Sequence, residues 1–264
     1  MRLSVVLAAL LLGAAAYLAV GQYQAWTRAR LAGLTDRPCT PQGEVVTGEA
    51  YDDWAALCFH RAENARLIAA GRWPEVVMIG DSLTMGWPEQ GEAIVARGIG
   101  QQSSGQILLR FMPDAMALNP RVVHILAGTN DVAGTTGPVT PEQLGDNLLA
   151  MADIARARGM AVILGTIPPA RGLGPGDTGA AIARANARIA RLATSQPGVV
   201  LANYHAALAR PDGSPREELF LDGVHPNAAG YAAMQPVFDR ALKAARAMAP
   251  RVLPPASGTP PSNR

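Results

Sequence analysis

The sequence predicts an α/β protein, a three-layer α/β/α sandwich around a five-stranded parallel sheet of flavodoxin-like strand order. Three observations predict it. Apolar runs rich in β-branched residues recur at Val76–Ile79, Ile94–Ile99, Val122–Ala127, Val162–Ile167 and Val199–Ala202. These runs are nearly continuous in apolar residues, as strands buried on both faces must be. Segments with helical spacing separate them, which is the pattern of a doubly covered parallel sheet.

The elements follow in order. Residues 51–70 read as a helix, with Trp54, Leu57 and Leu67 among the apolar positions. Between the third and fourth strands, Thr140-Pro141-Glu142-Gln143 offers an N-cap, a proline at the first helical position and a capping-box glutamine, and Gly159 follows the last turn. Ile182, Ala185, Ile189 and Leu192 mark a helix over residues 179–193. A last helix spans residues 227–248, where Pro236 is expected to kink it.

At 264 residues and 49% hydrophobic, the chain is long enough for one well-buried domain with appendages. The domain is placed at residues 51–248, after a leader at 1–21 and a linker at 22–50 and before a proline-rich tail at 249–264 too poor in apolar residues to pack. With 23 Lys and Arg against 21 Asp and Glu, the net charge of +2 provides no basic footprint for nucleic acid. A small-molecule partner is expected instead.

The run Leu3–Val20 carries no charge and reads as an export signal or an uncleaved membrane anchor, its length falling between the two. Either places the domain outside the cytoplasm, in the periplasm or an equivalent compartment. Of the chain's cysteines, Cys39 and Cys58, an exported protein is expected to make a disulfide, the alternative being two buried thiols. No CxxC or HExxH pairing is present, so neither a metal nor a cofactor is expected.

Ligands of a doubly wound sheet bind at the carboxyl ends of its strands, and four short blocks fall there. The first strand runs into Gly80-Asp81-Ser82-Leu83, which holds a serine on a strand-to-helix turn. Next comes Gly98-Ile99-Gly100-Gln101-Gln102, a glycine-containing turn whose backbone N–H groups can face the same cleft. The third strand ends in Gly128-Thr129-Asn130-Asp131, where Asn130 can offer an amide to an oxyanion. The last block, Asp222-Gly223-Val224-His225, places a carboxylate three residues from an imidazole, close enough to fix its tautomer. Of the four histidines only His225 has such a partner; His124, inside an apolar strand, reads as a core histidine, and His60 and His205 as structural.

In this order the blocks resemble those of the SGNH (GDSL) hydrolase family. The likeness runs from about Tyr51 to Ala245 and includes Asp53-Trp54, Arg61, Asn64 and Trp87. It implies a serine esterase in which Ser82 is the nucleophile, His225 the general base and Asp222 its orienting carboxylate. The oxyanion would be held by the Ser82 N–H, the Asn130 amide and an N–H of Gly100 or Gln101. One position departs from the pattern: the family's oxyanion glycine falls on Gln101, and residue 101 is expected at ordinary negative φ because Gly100 can absorb an awkward dihedral. The implied substrates are small-molecule, lipid or polysaccharide esters, and a compact chain without a long lid insertion points to short acyl groups. A membrane-tethered, catalytically silent binding module and a serine acyltransferase are the alternatives.

Overall fold

In a computed structural model of the chain, the described residues are 12–27, 39, 53–174 and 176–249. Two compact units divide between Trp54 and Ala55. Residues 12–27 of the first are helical, and among the described residues no helix is long and apolar enough to cross a membrane. Most of the expected leader, linker and tail lies outside the described residues. Both cysteines are disulfide-bonded.

The second unit contains the sheet. Strands β1 (Val76–Gly80), β2 (Ile94–Gly98), β3 (Val122–Leu126), β4 (Ala161–Gly165) and β5 (Val199–Ala202) lie in the order β2-β1-β3-β4-β5, all parallel. This is the flavodoxin-like order expected, with each strand within two residues of its predicted bounds. The helices are α1 (Arg61–Ala69), α2 (Ser82–Met85), α3 (Ser104–Asp114), α4 (Thr129–Ala133), α5 (Pro141–Arg156), α6 (Thr178–Ser195), α7 (Tyr204–Leu208) and α8 (Ala228–Met248).

Alternation along the strands divides the interior into two cores. Val77, Ile79, Val123, Ile125, Val162 and Leu164 pack with Ile107, Phe111, Leu148 and Ile189 from α3, α5 and α6. Val76, Met78, Val122, Leu126 and Ile163 pack instead with Trp87 and with Tyr204, Phe238 and Leu242 from α7 and α8. Period-two strands buried on both faces thus supply both helical layers at once. The expected cap of α5 is present, with Thr140 Oγ1 accepting from Gln143 N at 3.2 Å and Gln143 Oε1 from Thr140 N at 2.9 Å.

One element is corrected. The helix expected over residues 51–70 begins only at Arg61, and turns occupy 53–60. Ala56 takes φ +54, which no α-helix accommodates, so the apolar spacing of Trp54 and Leu57 does not mark a helix face. The last helix continues through Pro236 to Met248.

Candidate active site

All four blocks lie at the carboxyl edge of the sheet. Ser82 opens α2 directly after β1, half-buried, with Asp81 as its N-cap through a 2.9 Å bond from Leu83 N to Oδ1. Two close approaches fix this turn. A methyl group at Gly80 would collide with the Leu126 carbonyl, and one at Gly98 with the backbone of Met85. Gly98→Ala is therefore expected to push α2 off the end of β2, destabilising the protein by about 1–3 kcal/mol and lowering kcat, as read by thermal melting and ester turnover.

The Asp222–His225 block is a closed loop. Leu221 N donates to the His225 carbonyl at 2.8 Å, and Arg171 N to the Gly223 carbonyl at 2.8 Å. Asp222 Oδ1 accepts from the backbone N–H groups of both Val224 and His225 at 2.7 Å, and Oδ2 lies 2.8 Å from His225 Nδ1. The backbone N–H and then the ring of His225 hold the Asp222 carboxyl down at about 2, so it is ionised at neutral pH. An ionised carboxylate only accepts, which places the imidazole proton on Nδ1 and leaves Nε2 an acceptor. His225 Nε2 is 3.0 Å from Ser82 Oγ, across 143 residues of sequence. Such a line can take a proton from the serine hydroxyl and stabilise the imidazolium that results.

Next to this line are N–H groups without partners. Those of Ser82, Gly100 and Gln101 meet no acceptor among the described residues. Asn130, in the first turn of α4 after a Gly128 of φ +123, donates through Nδ2 to the Gln102 carbonyl at 3.0 Å and accepts from Thr135 Oγ1 at 3.3 Å. The amide orientation is thereby set, with a second Nδ2 proton to spare.

The expectation for residue 101 is corrected. Gln101 lies at φ +64, whereas Gly100 is not among the residues of positive φ. The glycine does not absorb the unusual dihedral; the glutamine itself occupies the left-handed region, at about 1–2 kcal/mol of backbone strain.

Several residues around the site brace it without taking part in the chemistry. Asp131 is buried and accepts from Ser104 N at 2.9 Å and from Ser104 Oγ, so burial raises its carboxyl while these bonds oppose the shift. Thr136 Oγ1 donates to Ser103 Oγ at 2.8 Å, a second link between the β2 and β3 loops. Tyr231 of α8 donates its hydroxyl to the Leu83 carbonyl at 2.9 Å, bracing the serine turn from beneath. Trp87 belongs to the core: its ring centroid lies 5.5–5.8 Å from those of His124, Tyr204, Tyr231 and Phe238. His124, bonded to Tyr204 Oη at 2.8 Å, is driven by burial down to about 3, as a neutral core histidine should be. Burial brings His60 to about 3 as well, with Nε2 3.3 Å from the Gly98 carbonyl.

Asp81 is fully buried with Oδ2 unpartnered, and burial, against the Leu83 N–H, raises its carboxyl from 3.8 to about 7. A folded-state value above the unfolded one favours the protonated form on folding. Its contribution to stability is thus complete below about pH 4 and is lost as the pH rises toward 7. Asp81→Asn should remove this loss, a relative gain on the order of 2–4 kcal/mol between pH 4 and 8, measured as the difference in Tm across that range.

Two cavities lie elsewhere, one of about 710 Å³ along the outer edge of β2 and one of about 490 Å³ along β5, and neither is lined by Ser82, Asn130 or His225. The chemistry is instead at an open rim, where the His225 and Asp222 side chains are 42% and 58% exposed.

The fold and this rim define a hydrolase of three-layer α/β/α architecture, and the comparisons agree. The profile of the GDSL-like lipase/acylhydrolase family matches residues 78–233. The chain belongs to that family. A GDSL-like lipase from Bacteroides thetaiotaomicron is 31% identical, with 73% of this chain and 99% of that one covered and a TM-score of 0.66. A protein assigned as an acylhydrolase from Bacteroides fragilis is also 31% identical, with 72% and 97% covered and a TM-score of 0.66. A mutant acetyl-xylooligosaccharide esterase from Geobacillus stearothermophilus shares the fold at 18% identity, with 64% and 94% covered and a TM-score of 0.54. No curated protein matches the chain by sequence.

Proposed function

We propose that the protein hydrolyses short-chain carboxylic esters through an acyl-serine intermediate. The observation that carries this reading is the line from the Asp222 carboxylate through His225 to Ser82 Oγ, with unpartnered N–H groups beside it. His225 Nε2 takes the hydroxyl proton as Ser82 Oγ bonds to the ester carbonyl carbon, and the C=O electron pair moves onto oxygen. The N–H groups of Ser82 and Gln101 and the Asn130 amide stabilise that oxyanion, with Gly100 as the other candidate donor. The oxyanion pair re-forms C=O as the ester C–O bond breaks and imidazolium gives its proton to the leaving alcohol. Water, deprotonated by His225, then attacks the acyl-serine carbonyl and releases the acid as Ser82 Oγ regains its proton.

Exposure of the His225 and Asp222 side chains favours an ester presented on an accessible surface, such as an acetyl group on a saccharide or a small lipid, over a long acyl chain held in a tunnel. The test is an acyl-chain-length profile with nitrophenyl esters from acetyl to palmitoyl. Turnover highest at two to four carbons and unchanged by an added sugar acceptor is expected. A maximum at long chains would overturn the substrate assignment, and acceleration by the acceptor would indicate acyl transfer.

Residues 3–20 and the bonded Cys39 and Cys58 support a location outside the cytoplasm, with the chain exported or tethered through its leader. Protease accessibility in spheroplasts, with intact cells as reference, checks this placement.

A further inference from the structure

A glutamine in the left-handed region persists only where its surroundings over-determine it. At Gln101 the restraint comes through the next residue. Gln102, 3% exposed, accepts Arg110 Nε at its Oε1, donates Nε2 to the Ala55 carbonyl at 2.9 Å and takes the Asn130 amide on its own carbonyl at 3.0 Å. Arg110 is fully buried, and two more of its N–H groups end on backbone beside the site: Nη2 donates to the Gly80 carbonyl at 2.7 Å and Nη1 to the Arg97 carbonyl at 2.8 Å. Asp114, one turn along α3, balances the charge at 3.1 Å.

One guanidinium thus joins three backbone segments: the end of β1 two residues before Ser82, the end of β2, and the residue after Gln101. Desolvating an arginine is expensive, and each of its buried donors must find an acceptor, which ties these carbonyls to one rigid group. The five N–H groups of a planar guanidinium, unlike a lysine ammonium, can hold several segments in one fixed geometry.

We propose that Arg110 and Gln102 are positioning residues that hold residue 101 left-handed, so that its N–H meets the oxyanion formed at Ser82. The inference rests on the esterase reading of Ser82. Neither side chain touches substrate; both act through the loop. Because the oxyanion exists only in the transition state and intermediate, loosening the loop lowers kcat and leaves KM nearly unchanged.

The test is steady-state turnover of a short-chain nitrophenyl ester by Gln102→Ala and Arg110→Lys, each alone and combined with Gln101→Gly. Rates are normalised to the active-site concentration titrated with a fluorophosphonate. Each single variant is expected to lose about 10–100-fold in kcat, less than removal of a whole donor, with KM within about threefold. Gln101→Gly alone sets the reference rate for the double variants. Combined with either variant it should restore most of the loss, because glycine occupies the left-handed region without restraint. Should Gln102→Ala fail to fold, Arg110→Lys, which keeps the charge, carries the same comparison.

Normal normalised kcat in the single variants, or no rescue by Gln101→Gly, would overturn the positioning role. Undiminished turnover by Ser82→Ala would instead overturn the esterase reading, so the two failures are distinguishable.

Discussion

Replacing Ser82 by alanine is expected to lower kcat by a factor on the order of 10⁴–10⁶, the loss that follows when a nucleophile is removed from a hydrogen-bonded triad. The substitution deletes a single oxygen, the one 3.0 Å from His225 Nε2, and leaves Asp222 bonded to the other ring nitrogen. Stability should barely change, since Ser82 caps nothing: the cap of α2 is Asp81. Labelling by a fluorophosphonate probe should disappear together with turnover. A variant that is still labelled at the parental rate would place the nucleophile elsewhere.

The second largest effect is expected at Asn130. Asn130→Ala removes the one side-chain donor of the proposed oxyanion hole and should lower kcat on the order of 10²–10³-fold, with KM little changed. It also leaves the Gln102 carbonyl and Thr135 hydroxyl without a partner, for a stability loss of about 1 kcal/mol. Comparing kcat with Tm separates the two contributions. Near-parental kcat would remove Asn130 from the oxyanion hole.

These two predictions differ in how far the sequence alone reaches. Ser82, Asn130 and the Asp222–His225 pair are legible because each belongs to a short block with its own local geometry. A serine after a strand, an amide in a first helical turn and a carboxylate three residues from an imidazole are contacts that neighbouring residues make by themselves. Asp222 bonds the backbone of Val224 and His225 within one loop, for example. The likeness of the four blocks to a known family then supplied their common purpose.

Gln101 shows where that reach ends. Its identity predicts negative φ, and glycine next to it strengthens that expectation, yet it stands at φ +64. Restraints on the following residue come from Arg110, eight positions on, and from Asn130 and Ala55, which lie 28 and 47 positions away. Arg97 and Arg110 left a faint trace, a charge inside an otherwise apolar strand and helix, which signals a buried partner without saying which. Asn64 Oδ1 accepts from Arg97 Nε at 2.7 Å, and Asn64 Nδ2 donates to Asp114 Oδ1 at 3.0 Å. Only packing α1 against both β2 and α3 creates these bonds.

The sequence by itself determined the parallel sheet, its covering helices and the residues that meet at its edge, because apolar periodicity, caps and tight turns act over a few residues. Tertiary structure alone decided that Ser82 Oγ and His225 Nε2 face each other across 143 positions, that residues 53–60 turn where a helix was expected, and that a glutamine occupies the left-handed region. The first depends on groups far apart in the chain, and the last on bonds from three separate segments that together outweigh the local preference.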